Sequence, residues 1–413
     1  MVQVSAVAST DKLETIGKIE NWIFYFLCGY ALCSSVSMGG ANICLGLATV
    51  AAIIRLVKKH DDWKDLLRVD KKLRMPFLIF IGTVTITNIF SVDIGISVRN
   101  MFQYYINNFE PFILCLMFVR DKHKIIMLAG LGFLSFLINN VECIYQWYIH
   151  RDATRGASST VGRSAGFLRY MSTAGIMAMW VPIQFLLLLV LREKKRKMIL
   201  VSILISILAI LGNNTRGMWL AVAITILVIY FMYIKSIAKF ICVIMVSLLC
   251  VGLVANQVSW IHNRIMSIDV KDGSNEERLV YLWPSAYKMG SDYPLTGVGS
   301  GNFEKMYREQ YAMPGSDKDL SHAHSIYFQR FAEHGYSGLI AFGVWIIGTF
   351  IYCVRGWRRE HNIGYLMYMS IFMGLFLHGV TEDVFGHPIT MKLFWFGLGI
   401  SYQWIRLNKK SIE

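Results

Sequence analysis

The one long polar stretch of this chain, residues 258–323, contains no cysteine, although the chain has eight. Cys28, Cys33, Cys44, Cys115, Cys143, Cys242, Cys250 and Cys353 all sit in or beside apolar runs. A disulfide framework is therefore absent, and with no CxxC pair there is no zinc motif of that kind. Phosphate-binding glycine loops are missing too: there is no GxxxxGK[ST] and no GxGxxG opening a helix after a strand. These absences argue against an ATP-driven pump. No internal repeat of the kind that marks many carriers is visible. Charge is scarce, at 16% of 413 residues.

What fills the chain instead is apolar. Hydrophobic residues make up 55%, and the mean hydropathy is +0.46, more than one water-soluble core can hide. The composition predicts an integral membrane protein. A span needs roughly 20 apolar residues to cross about 30 Å of hydrocarbon. Segments of that kind lie near 21–38, 41–57, 76–92, 103–119, 125–148, 167–191, 198–212, 217–234, 240–257, 324–353, 364–380 and 389–406. The expected fold is all-α, with about twelve transmembrane helices and one large extracytoplasmic loop. Its divisions are 1–257 for the first nine helices, 258–323 for the loop and 324–413 for the last three. Residues 1–18 contain no apolar run, so the first span is expected to remain as an anchor rather than be cleaved as a signal peptide.

The basic residues orient this bundle. They gather in alternate connections: Arg55 to Arg74, Arg120 to Lys124, Arg192 to Lys197, Lys235 and Lys239, Arg355 to Arg359, and Arg406 to Lys410. By the positive-inside rule these connections, and both termini, are expected in the cytoplasm of a bacterial inner-membrane protein. Residues 258–323 carry nine acids against seven bases and are expected outside. Topology thus accounts for the formal net charge of +14 without a nucleic-acid partner.

Four polar clusters lie at the outer ends of these spans. Asn213, Asn214, Thr215, Arg216 and Gly217 form the whole connection between two spans. A guanidinium there either snorkels to lipid phosphates or faces an anionic ligand, and the donor-rich turn at a helix N-terminus suits phosphate. The second cluster begins at Arg278, followed by apolar residues 279, 282, 283 and 286 at helical spacing, which predicts an amphipathic helix on the membrane face. The run Gly297-Val298-Gly299-Ser300-Gly301 after it is either a flexible turn or a place where backbone approaches substrate. The third holds His322, His324 and Glu333. A His-x-His pair without a carboxylate at a recognised spacing is a poor zinc site, and the expectation is no metal and no cofactor. A neutral imidazole does suit proton abstraction from a sugar hydroxyl. The fourth comprises Arg163 and Arg169 with His378, Glu382, Asp383 and His387, which either pair with one another or contact substrate.

In this order, the short connection bearing Arg216, the Arg278–Trp283 segment, the Pro294-x-x-Gly-x-Gly-x-Gly-x-Phe303 run and the His324-Ser-x-Tyr…Glu333-x-Gly-x-x-Gly helix resemble the O-antigen ligase and polymerase family. Ser325 stands where that pattern usually has Asn. The resemblance implies a glycosyltransferase C-like fold and a glycan donor attached to undecaprenyl diphosphate on the outer face of the inner membrane. It implies Arg216 and Arg278 as stabilisers of the leaving diphosphate and His324 as the group that activates the acceptor hydroxyl. Arg163, Arg169, Asn214, His322, Gly299 and Gly301 are the expected substrate-binding residues. The expected activity is inverting, metal-independent transfer to lipid A–core oligosaccharide. The alternatives are a polymerase whose acceptor is another lipid-linked glycan, and a transporter or flippase. A carrier is expected to hold its charges near mid-membrane, whereas these gather at the outer ends.

Overall fold

The computed structural model describes residues 2–58, 68–149, 163–234, 236–238, 240–241, 244–245 and 273–409. The span expected at 240–257 and the first part of the polar segment fall almost wholly outside them. All regular structure among the described residues is helical. Helices α1 (Val2–Cys33) and α2 (Met38–Lys58) form a hairpin, followed by α3 (Lys71–Ile89). Next come α4 (Ile94–Met101) and α5 (Asn107–Phe118), joined by a π-helical turn, and α6 (Lys122–Ile144). Three consecutive apolar helices follow: α7 (Tyr170–Val190), α8 (Glu193–Asn213) and α9 (Arg216–Ile234). The polar segment contributes α10 (Trp283–Asp292), and the chain closes with α11 (Ile326–Glu360), α12 (Ile363–His378) and α13 (Pro388–Lys409).

Six of these, α2, α6 with its extension to Ile149, α7, α8, α9 and α11, are long and apolar enough to cross a membrane. Twelve were expected; six are identified among the described residues, the span expected at 240–257 lies almost wholly outside them, and several others are shortened locally. Lys71, Lys72 and Arg74 open α3, a π turn interrupts the run from α4 to α5, and α12 has only 16 residues. The spanning helices present bare apolar faces, Ile43 of α2 being 64% exposed and Ile340 of α11 65%. Rows of such side chains need hydrocarbon rather than water, and the chain is a multi-pass membrane protein.

Helix α7 lies at the centre. It is apolar on every face, and its residues from Met171 to Gln184 are all buried, as expected for a helix surrounded by others. Small residues bring its neighbours close: Gly175 faces Thr390 of α13, and Gly374 of α12 sits against the backbone of Ala178. Beside this core, Trp345 of α11 stacks between Phe80 of α3 at 5.2 Å and Trp395 of α13 at 5.9 Å.

Residues 273–323 build a small second core from Leu282, Ala286, Met289, Val298, Phe303, Met306 and Tyr307. The apolar stripe expected at 279–286 is helical, with Leu282 and Ala286 buried, Leu279 exposed, and α10 packed on α11. Helix α11 breaks at Gly335, whose φ of 61° and ψ of −160° are non-helical. The broken turn is satisfied from the glycine run. Val298 N donates to Ala332 O at 2.9 Å, Gly299 N to Glu333 O at 2.8 Å, and Tyr336 N to Pro294 O at 2.7 Å.

Candidate functional site

Helices at one end of the bundle are placed by backbone contacts rather than by side-chain caps. Neither Arg169 before α7 nor Ser325 before α11 makes a side-chain cap bond. Ile326 N instead donates to Gly379 O at 2.8 Å, and Tyr327 Oη donates to Phe376 O at 3.1 Å. These contacts dock the start of α11 against the turn 379–387 between α12 and α13. They also bring His322 and His324 to Glu382.

Glu382 is 1% exposed and is the hub of the arrangement. Its carboxylate accepts from His322 Nε2 at 3.2 Å, His324 Nδ1 at 3.1 Å and His387 Nε2 at 3.2 Å. Burial raises a carboxyl, but these three bonds outweigh it and hold Glu382 well below the usual carboxylate range. Burial lowers His322, yet its bond to Glu382 wins and leaves it above the usual histidine value. An ionised carboxylate only accepts, so His324 Nδ1 is the donor and a neutral His324 carries its lone pair on Nε2. That Nε2 lies 3.8 Å from Glu277 Oε1. His324 itself sits at φ 48°, in the left-handed region, a strained backbone held by what surrounds it. Trp283 helps to hold it, donating Nε1–H to Ala323 O at 3.1 Å and stacking on Phe328 at 4.9 Å.

Beneath this hub lies a buried ionic group. Arg330 pairs with Glu333 at 2.8 Å and with Asp383 at 3.8 Å, and it donates to Tyr105 Oη. Glu333 also accepts from Gly301 N at 2.7 Å and Gln329 Nε2 at 3.0 Å. Both of these bonds fall on Oε1, while Glu333 Oε2 meets Arg330 only as an ion pair, and breaking a buried pair of this kind would leave an uncompensated charge. Above it opens a polar cavity of about 560 Å³, lined among others by Arg99, Arg169, Gly301, His322, Gln329 and His387.

A second cavity of about 230 Å³ lies on the other side of the turn. Arg163, Arg216 and Arg278 all line it, with Met171, Leu220, Thr381 and His378, and among the described residues no carboxylate does. Arg216 opens α9 and donates to Asn275 Oδ1 at 3.2 Å. Arg163 stands 5.2 Å from the centre of the Tyr170 ring. Burial lowers its guanidinium from the ordinary value, with the charges of Arg278 and Arg216 acting the same way and Tyr170 opposing. Arg278 Nε is buried and has no hydrogen-bond partner among the described residues. Three guanidinium groups around an apolar-walled hollow form a ready receptor for an oxyanion with a lipid tail.

The residues expected from sequence therefore divide. Arg163, Arg216 and Arg278 share one cavity, Arg169, His322 and Gly301 line the other, and His324 stands at Glu382 with the histidines. Asn214 is the left-handed C-cap of α8, and the adjacent Asn213 ties that turn to Ser164 O and Tyr170 O. Gly299, at φ 92°, packs against Ser91 and Ser97 and lines neither cavity, so its place is in the scaffold. The sequence pattern grouped Glu382 with His387, and the two do pair, but it did not connect Glu382 to His322 or His324, far away along the chain, and it gave Arg330 no role. Ligand atoms of His322, His324 and Glu382 lie within 4.8 Å of one another, close enough to hold a metal ion. The same spacing is what a buried carboxylate with imidazole donors requires.

No curated protein matches this chain. Residues 201–343, which run from α8 through the Arg216 turn and α10 to the break in α11 and beyond, match the family model described as O-antigen ligase. That match, over about a third of the chain, supports a relationship to the O-antigen ligase/polymerase family, and Arg216, Arg278, His322 and His324 lie within it.

Proposed function

We propose that the protein is a membrane glycosyltransferase of the O-antigen ligase type. It moves a glycan from undecaprenyl diphosphate to lipid A–core oligosaccharide on the outer face of the inner membrane. The observation that carries this reading is the turn 378–387: His378 and Thr381 line the arginine cavity, while Asp383, Gly386 and His387 line the polar one. A cationic receptor and a polar cleft thus share one wall, and Glu382 of that turn bonds His324, which lines neither cavity itself.

In this reading the donor diphosphate lies among Arg163, Arg216 and Arg278, and the acceptor sugar lies in the polar cavity. Neutral His324 takes the proton of the acceptor hydroxyl at Nε2, and the resulting oxygen attacks the anomeric carbon opposite the diphosphate. The bond from that carbon to the bridging oxygen breaks, its electron pair leaves with the diphosphate, and the configuration inverts. Fixed guanidinium groups stabilise the charge that develops on the departing oxygen, which is the work a divalent cation does elsewhere. Glu382 keeps the imidazole in the required tautomer and favours the imidazolium that forms, as a buried carboxylate does in a catalytic triad.

The decisive experiment is the glycan profile of a deletion strain. Polymerised glycan accumulating on undecaprenyl diphosphate, with unmodified lipid A–core, is the expected result. Accumulation of single repeats would make the enzyme a polymerase, and export failure with glycan trapped inside would make it a carrier.

A further inference from the structure

His378 is the last residue of α12 and has no exposed surface. Neither Nδ1 nor Nε2 has a hydrogen-bond partner among the described residues, although buried polar groups are nearly always paired. The ring lines the same cavity as Arg163, Arg216 and Arg278. A neutral imidazole has one N–H to give, and guanidinium groups can only donate, so the arginines offer that N–H nothing. The hydroxyl of Thr381, which also lines the cavity, donates to the backbone oxygen of His378 at 3.4 Å rather than to its ring. An oxyanion in the cavity would supply the acceptor that the described residues do not.

We propose that His378 donates this N–H to a phosphate oxygen of the lipid diphosphate, as a fourth ligand that adds a hydrogen bond without a fourth positive charge. The inference rests on the assignment of the arginine cavity to the donor. Charge makes the point of a neutral ligand clear. Three arginines already crowd one another, and another cation would add repulsion to the empty cavity. A neutral donor leaves the empty state unchanged and acts only when an oxyanion is present. Its position gives it a second effect. His378 begins the turn whose fifth residue is Glu382, and Glu382 holds His324. A phosphate drawing on the imidazole thus bears on the same short segment that aligns the acceptor-activating histidine.

The test uses the full-length protein in detergent, with inorganic diphosphate as the probe and binding read by calorimetry at fixed ionic strength. His378→Leu is expected to weaken binding roughly tenfold or more, the usual worth of a hydrogen bond to a charged group. His378→Gln, which keeps an N–H donor, is expected to recover most of the loss. In turnover assays the Leu variant should raise KM for the lipid-linked donor by the same factor while KM for the acceptor stays put. If Arg216→Ala and Arg278→Ala weaken diphosphate binding while His378→Leu binds as the wild type does, the proposal is wrong and the donor cavity stands. If neither arginine variant weakens binding, the cavity assignment is wrong and the proposal goes with it. Should His378→Leu fail to insert, His378→Ala takes its place, with affinity restored by added imidazole as the expected result. No restoration by imidazole, with insertion normal, overturns the proposal.

Discussion

His324 Nδ1 lies 3.1 Å from Oε2 of Glu382, a carboxylate with 1% of its surface exposed, so the residue that closes the polar segment is oriented by the turn between the last two helices. Glu382→Gln should preserve the fold but lose control of the tautomer, lowering turnover by about 10²–10⁴ while donor affinity stays near normal. His324→Asn is the matched test of the imidazole, because Asn tolerates the left-handed backbone at that position. It should cost as much as His324→Ala in turnover and less in stability. His322→Ala is expected to do much less. Separate measurements of turnover and donor binding decide this, and near-normal turnover in either His324 variant removes His324 from its assigned role.

For the arginine cavity, the fork matters as well as the charge. Arg216→Lys and Arg278→Lys each keep a cation but lose planar, paired donors, and should cost about 2–4 kcal/mol in the transition state, or about 10²–10³ in rate. Arg169→Lys, in the other cavity, should leave the donor KM unchanged and alter the acceptor KM. Steady-state kinetics with each substrate varied in turn separates the two outcomes.

Transfer should continue in EDTA, since no carboxylate among the described residues lines the arginine cavity and the guanidinium groups there supply the positive charge. The check is activity after chelation and gel filtration. Loss of activity restored by Mg²⁺ or Mn²⁺ would reverse the account of the leaving group.

The histidine hub makes stability depend on pH in two directions. Glu382 is lowered from 4.5, so its contribution is complete above that value and is lost as pH falls towards its folded value. His322 is raised from 6.5, so its contribution is complete below that value and is lost as pH rises through its folded value. Both are present together between 4.5 and 6.5, and the contribution of the pair to the melting temperature should peak there. Comparing melting curves of the wild type and Glu382→Gln across pH isolates it; a difference that does not vary with pH would count against the pairing.

Gly335→Ala should destabilise the protein by about 1–3 kcal/mol from the backbone alone, because its φ and ψ fall in a region open essentially to glycine. A Cβ there also meets the backbone of Pro294, which must shift and pull the glycine run with it. Thermal unfolding in detergent measures the loss, and an unchanged melting temperature would show that the break is not needed.

How much of this was legible in the sequence differs from residue to residue. Arg216 and Arg278 stand out because a cation at the end of an apolar helix is costly and conspicuous. Their convergence with Arg163 was not legible, since α7 and α8 lie between Arg163 and Arg216 and only helix packing closes the gap. Glu382 is 58 residues from His324, and their contact depends on Ile326 N finding Gly379 O, a backbone bond that leaves no mark on side-chain pattern. The glycines at 297, 299 and 301 were visible as permissive backbone, but the sequence does not say what they approach. All three have positive φ, and their close neighbours are Glu333, Ser91 and Asn100, so they pack against other parts of the protein, with Gly301 also lining the polar cavity. Among the described residues, apolar runs coincide with helices. The number long and apolar enough to cross a membrane was harder to read, because opening lysines and π turns shorten what hydropathy alone would extend.

The discontinuity at Gly335 separates the part of α11 that follows His324 from the part that reaches toward Glu360. A continuous rod would transmit any change of tilt, as the bilayer thickens or thins around it, directly to the histidine at its tip. With the rod interrupted and its upper piece bonded to the glycine run and to Gly379, the lower piece can lean while the upper one keeps its bearing. The break at Gly335 thus leaves no straight helical path from the Glu360 end of α11 to His324.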